Sequence, residues 1–199
     1  MIDRPMLILA SGSPRRRELL AEAGIPFAVH PSDADETLDP ALSPEGNALA
    51  LAFKKADAVA HRFPDDVTLA ADTMVVLGDD IIGKPVDEAD ARSMLARLSG
   101  ETHVVVTGVA LVRPADRLRW SGAAVSRVTF RPVAAAAIAA YVATGEPMDK
   151  AGGYAIQGGA AGWIERFEGS RTNIIGLPME LVADALSRFG VGCGGAPCR

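Results

Sequence analysis

The chain has 199 residues, 49% of them hydrophobic and 23% charged, the balance of a globular domain. Its 25 acidic and 20 basic residues leave a net charge of −5, and without a basic stripe this argues against a nucleic acid polymer as partner. No apolar run reaches the roughly 18 residues that a bilayer span needs, and the opening MIDRPMLILASG carries an acidic residue and only a short apolar stretch; no membrane partner and no signal peptide are expected, and the cytoplasm is the default location.

Met6–Ala10 (MLILA) predicts a short buried strand. A Gly-Ser turn leads into SPRRRELLAEAG, read as a helix with Ser13 at the N-cap, Pro14 in its first turn and Gly24 at its end. Leu19, Leu20 and Ala23 supply its inward face. Arg15, Arg16 and Arg17 all fall in the first turn, where free N–H groups already carry positive partial charge. Cations there are disfavoured by a few tenths to roughly 1 kcal/mol, and a bound phosphate would offset that cost. Phe27–His30 predicts a second strand. The polar loop PSDADETLDPALSPEG holds Asp35 and Glu36, which alone read as solvated carboxylates. Ser43-Pro44 then opens a long helix through ALALAFKKADAVAHRF. There one of Lys54 and Lys55 falls on the solvent face, and the other lies near the apolar stripe as a snorkelling or ligand-directed lysine.

Val67–Ala71 predicts a third buried strand that ends at Asp72. A carboxylate at the emergence of a buried strand is where open α/β sheets hold ligands; a turn-capping Asp is the bland alternative. Thr73–Leu77 continues extended, and Gly78-Asp79-Asp80 turns into Ile81-Ile82. Pro85 cannot continue a central strand, so Lys84 stands near a strand end as a compact charge suited to phosphate. Asp87 caps DEADARSMLARLSG, a helix that stops at Gly100. THVVVTGVALV reads as a strand interrupted at Gly108, AAVSRVTFRPV as another, and AAAAIAAYVATG as a helix.

Glu146 to Gly162 is Gly-rich and polar, a loop with a short extended piece at Tyr154 to Gln157. Such long loops are uncommon in compact domains, and the Gln157 amide offers both a donor and an acceptor to a base edge. WIERF predicts a strand and LPMELVADALSRF the last helix. His30, His61 and His103 are scattered and read as structural. Cys193 and Cys198 lie in GVGCGGAPCR and read as thiols of a flexible tail, with no disulfide framework and no zinc spacing.

Alternating strands and helices, with two stretches of adjacent strands, predict a single α/β domain with a mixed, twisted central sheet flanked by helices. Its chemistry combines several cations, one or more carboxylates and a recognition loop, which suits phosphoanhydride cleavage. There is no Walker A, GxSxG or HExxH sequence.

In order along residues 7 to about 189 stand SGSPRRRELL, FKKADAV, LAADTMVVL, IGKP, LSGETHVVVTGVAL, EPMDKAGGYAIQG and GSRTNIIGLP. Together they resemble the Maf-type nucleoside triphosphate pyrophosphatases. The resemblance implies a Maf/ITPase-like fold with a deep cleft, a domain at 1–189 and a tail at 190–199. It implies hydrolysis of a nucleoside triphosphate to monophosphate and pyrophosphate with Mg²⁺ or Mn²⁺, and commonly a homodimer. DKAGGYAIQG is similar to the subgroup that acts on dTTP and UTP. By motif position Asp72 is similar to the family's proton acceptor, and Arg15, Thr73 and Gln157 to its substrate-choosing positions. Ser11, Arg16, Glu36, Lys55 and Lys84 match other pocket positions, with Lys55 chosen over Lys54 by the motif; Glu36 and Asp72 would hold the metal. One departure stands in GSRTN, where Arg171-Thr172 replaces the family's usual aromatic residues. Two other functions stay open: a pyrophosphatase for modified or non-canonical nucleotides, and a non-catalytic nucleotide-binding regulator of cell division.

Overall fold

The computed structural model describes residues 5–191. Cys193, Cys198 and nearly all of the expected tail lie outside the described residues.

The elements run β1 (Leu7–Leu9), α1 (Pro14–Glu22), β2 (Phe27–Val29), α2 (Pro44–Ala60), β3 (Val67–Leu77), β4 (Asp80–Ile82), α3 (Glu88–Leu98), β5 (Thr102–Arg113), β6 (Leu118–Phe130), α4 (Ala135–Val142), β7 (Ile164–Glu168), α5 (Arg171–Ile175) and α6 (Met179–Arg188). One seven-stranded sheet has the order β2-β1-β3-β5-β6-β7, with β4 pairing β3. β1 is parallel to both β2 and β3, whereas β4 on β3 and β7 on β6 are antiparallel. This is the mixed α/β sheet that the sequence predicts. Among the described residues no helix is long and apolar enough to cross a membrane.

The chain packs as two compact units built from interleaved segments. Among the described residues the first takes 5–72, Thr107–Ala124 and 176–191; the second takes Thr73–Val106 and Val125–Ile175. One core cluster of the first is made of small residues: Ala10, Ala52, Ala56, Ala60, Ala70 and Ala110 pack with Ile8, Val59 and Val112. Small side chains let α2 lie close to its strands, as at Gly108, where an added Cβ would meet the Ala48 carbonyl oxygen at 2.3 Å. The second core is built of larger groups, with Leu95, Leu98, Phe130, Tyr141 and Tyr154 buried together. Its rings meet edge to face, Phe130 against Tyr154 at 4.8 Å and Tyr141 against Trp163 at 5.0 Å, the arrangement their quadrupoles favour.

Caps explain two of the helix starts. Ser43 Oγ accepts the Gly46 N–H at 3.1 Å and Asp87 Oδ1 the Asp90 N–H at 2.8 Å, each satisfying an otherwise orphaned donor. Several expectations are corrected. β3 runs unbroken through Asp72, so that residue sits inside a strand and not at its end. β5 likewise continues through Gly108, a glycine needed for close packing and not a break. β6 begins at Leu118, ahead of the apolar pattern, because its first residues are exposed. Ala23 is exposed and contributes no inward face. Tyr154–Gln157 lies outside the sheet: its alternating burial imitates a strand, but Gly152 and Gly153, both at φ +70, turn the chain just before it.

Candidate active site

Lys55 owes its position to helical spacing. Ala48, Leu51, Ala52, Ala56 and Val59 form the buried stripe of α2, and Lys55 falls within it while Lys54 faces outward. Lys55 is 9% exposed and Asp72, on β3, is 8% exposed. Lys55 Nζ stands 2.6 Å from Asp72 Oδ1 and 2.9 Å from Glu36 Oε1. One ammonium thus gathers two carboxylates from the β2–α2 loop and the sheet. The Glu36 side chain remains 55% exposed, so this triad opens to water on the Glu36 side.

The neighbouring Asp35 has another task. Its carboxylate accepts from the Thr37 hydroxyl at 2.6 Å, the Thr37 N–H at 3.1 Å and Lys54 Nζ at 2.9 Å. The Thr37 bonds above all, then Lys54, hold its pKa down to about 2. Asp35 shapes the loop, and Glu36 turns inward to Lys55.

Ser11 follows β1 and is buried. Its Oγ accepts the Ser13 N–H at 3.2 Å and Arg16 Nη1 at 3.1 Å. Ser13 is the N-cap of α1, but its side chain makes no cap hydrogen bond; Ser11 holds its backbone instead. Arg16 Nε donates to the Gly176 carbonyl at 2.8 Å. Burial lowers the Arg16 pKa from its ordinary value; Asp72 and Glu36 oppose that pull and Arg15 adds to it. Arg16 therefore feels the charge of both carboxylates and of Arg15. An arginine stays protonated through such a shift. The first turn of α1 holds no acid, Arg15 is half-buried, and Arg17 is exposed. Two of the three arginines therefore belong to the cluster. Ser11, Arg15, Arg16, Glu36, Lys55 and Asp72 all lie in the first unit.

Thr73, Lys84 and Gln157 lie in the second unit. Thr73 is half-buried, and Lys84 and Gln157 are exposed. The segments that carry Lys84 and Gln157 are joined: the Gly152 N–H donates to the Gly83 carbonyl at 2.9 Å, and Gly153 packs on Pro85. A hollow of about 400 Å³ in this unit is lined by β7, Ile156, Ala161 and Arg171; none of the predicted site residues line it. Sequence reasoning missed Gly176 as a functional partner. It sits inside GSRTNIIGLP, but a carbonyl that meets Arg16 across 160 residues leaves no local signal.

Among the described residues no group of three His, Cys, Asp or Glu is placed to hold a metal ion. The Glu36–Asp72 pair still fits Mg²⁺ or Mn²⁺ bound with a triphosphate. Such a hard cation takes one or two carboxylate oxygens and fills its other positions with phosphate oxygens and water, and Lys55 already draws these two carboxylates to one point.

The family model described as Maf-like protein matches residues 6–189. A protein of Geobacter sulfurreducens (strain ATCC 51573 / DSM 12127 / PCA), named dTTP/UTP pyrophosphatase, is 50% identical over 190 residues, covering 95% of this chain and 99% of its own. One of Desulfitobacterium hafniense (strain Y51) with the same name is 47% identical over 195 residues, covering 95% and 87%. A third of that name, from Gloeobacter violaceus (strain ATCC 29082 / PCC 7421), is 48% identical over 184 residues, covering 92% and 95%.

Proposed function

The chain belongs to the Maf-like protein family, and on that premise we propose that it hydrolyses nucleoside triphosphates, dTTP and UTP foremost, to the monophosphate and pyrophosphate. The names of its relatives support the reaction class and the pyrimidine substrates. The observation that carries the reading is Lys55 clasping Asp72 and Glu36 beside Arg16 and Ser11. Cations that balance phosphate oxygens and a carboxylate that takes a proton from water are the two parts this hydrolysis needs.

In the proposed reaction water attacks the α-phosphorus and pyrophosphate leaves. Asp72 orients that water and accepts its proton. Arg15, Arg16 and Lys55 spread their charge over the phosphate chain, and Ser11 fixes the Arg16 guanidinium through its hydroxyl. Motif position brings Lys84, Thr73 and Gln157 into the same proposal, Lys84 toward phosphate and the other two toward the base edge. Mg²⁺ or Mn²⁺, held by Glu36 and Asp72, would supply charge neutralisation and Lewis acidity. Assembly as a homodimer belongs to the proposal as well and would show as a solution mass near twice 20.7 kDa.

The test is a panel of natural and modified nucleoside triphosphates with Mg²⁺, read as released pyrophosphate. Fastest release from dTTP and UTP is expected. Binding without release would replace this reading with the regulator, and fastest release from modified bases would replace it with nucleotide clearance.

A further inference from the structure

Gln157 is exposed, yet the chain around it is pinned on both sides. Before it, Tyr154 is 6% exposed and shares a 2.7 Å hydrogen bond with His103 Nε2, and Ile156 is buried. After it, the Glu146 carboxylate accepts the Gly159 N–H, at 3.1 Å on Oε2 and 3.3 Å on Oε1. Glu146 is in turn fixed from three directions. Tyr141 Oη donates to Oε1 at 2.9 Å, Lys150 Nζ donates to the Glu146 carbonyl at 2.5 Å, and the Glu146 N–H donates to Thr144 Oγ1 at 3.2 Å. Burial and the Glu146 carboxylate both raise the Tyr141 pKa, so the phenol keeps its proton and remains the donor.

The sequence is cut to fit this clamp. A Cβ at Gly158 would lie 1.7 Å from Glu146 Oε1 and 2.6 Å from its Cδ. The Gly158 φ is outside the left-handed range, so the carboxylate and not the backbone excludes a side chain there. A half-buried acid held by a tyrosine, against a glycine that makes room for it, is more than a loop needs merely to close.

We propose that Glu146 is a positioning residue for base selection: by holding Gly158-Gly159 it sets where Gln157 presents its amide. This rests on the reading that Gln157 faces the nucleobase. Hydrogen-bond readout tolerates little misplacement, since an error of about 1 Å can cost roughly 100-fold. Glu146 is placed to govern which base is accepted while leaving the phosphate chemistry alone.

The test measures kcat and KM for dTTP, UTP, dCTP and dGTP in Glu146→Ala, Gly158→Ala, Gln157→Ala and the Glu146→Ala/Gln157→Ala double variant. In Glu146→Ala the preference for dTTP and UTP should shrink by about 10- to 100-fold, through KM for those two substrates. Gly158→Ala should give the same pattern, because its methyl displaces the Glu146 carboxylate from Gly159 without straining the backbone. The double variant should be no worse than Gln157→Ala, and Glu146→Gln should restore part of the preference. A loss shared equally by all four nucleotides, or additive losses in the double variant, overturns the proposal. Unchanged preference in Glu146→Ala alone sinks it while Gln157 keeps its role; unchanged preference in Gln157→Ala removes both.

Discussion

Lys55 Nζ lies 2.6 Å from Asp72 Oδ1, joining helix α2 to the middle of strand β3 with both side chains close to fully buried. A buried ion pair adds little net stability, because desolvation of both charges offsets their attraction. The pair makes sense as a poised site: a fixed cation stands against the carboxylate, and the Glu36 side stays open to solvent.

If Asp72 is the proton acceptor, Asp72→Asn keeps the shape and removes the base. Its kcat for dTTP should fall by about 10²–10⁴-fold. Steady-state pyrophosphate release checks this, and turnover near wild type would take Asp72 out of the role.

The two adjacent lysines should separate sharply in stability. Lys55→Met takes away the ion-pair partner of buried Asp72, a change that costs about 3 kcal/mol or more. Lys54→Met breaks an exposed pair with Asp35, of a kind worth about 0–1 kcal/mol. Urea unfolding of both variants at neutral pH should show a large midpoint shift for Lys55→Met and almost none for Lys54→Met. Equal shifts would contradict the burial argument.

These lysines also show how much was legible in the sequence. The apolar stripe of α2 has a period that the eye can count, so that one lysine turns inward follows from spacing alone. Which carboxylates it meets does not follow. Asp35 and Glu36 are neighbours of like charge, and only the folded loop shows that Asp35 is engaged by Thr37 and Lys54. The Arg16–Gly176 bond spans 160 positions, and no local pattern encodes it. The five residues of α5 went unpredicted because one turn of helix has no periodicity to detect. Tyr154–Gln157 misled in the opposite way: its alternation is real, but it reflects pinning of a turn and not pairing of a strand.

His103 makes the fold acid-sensitive. Burial holds its pKa down to about 4, against 6.5 for a free imidazole. Between those values the unfolded chain binds a proton that the folded chain refuses, so stability rises with pH across the window and is lost as pH falls from 6.5 toward 4. The full window corresponds to about 3 kcal/mol. His103→Gln removes the titrating group. The stability gap between wild type and this variant, taken from urea midpoints, should narrow by about 2 kcal/mol from pH 7 to pH 5; a gap independent of pH would show that His103 does not titrate this way.

Gly108 tests the close packing that brings α2, and with it Lys55, to the sheet. A Cβ there would sit 2.3 Å from the Ala48 carbonyl oxygen, 2.4 Å from the Ala48 carbonyl carbon and 2.6 Å from the Leu49 nitrogen. Those are backbone atoms, with no rotamer to move them aside, so the helix itself must shift. Overpacking of this kind costs typically about 1–3 kcal/mol, or a Tm loss of roughly 5 °C in a chain of this size. Gly162→Ala is the matched control, since nothing lies within 4 Å of its added Cβ, and its Tm should stay within a degree or two of wild type. Because the same helix holds Lys55 against Asp72, Gly108→Ala should also lower kcat well below its folding temperature. A variant that loses stability but keeps full turnover would mean that the Lys55–Asp72 contact tolerates movement of α2.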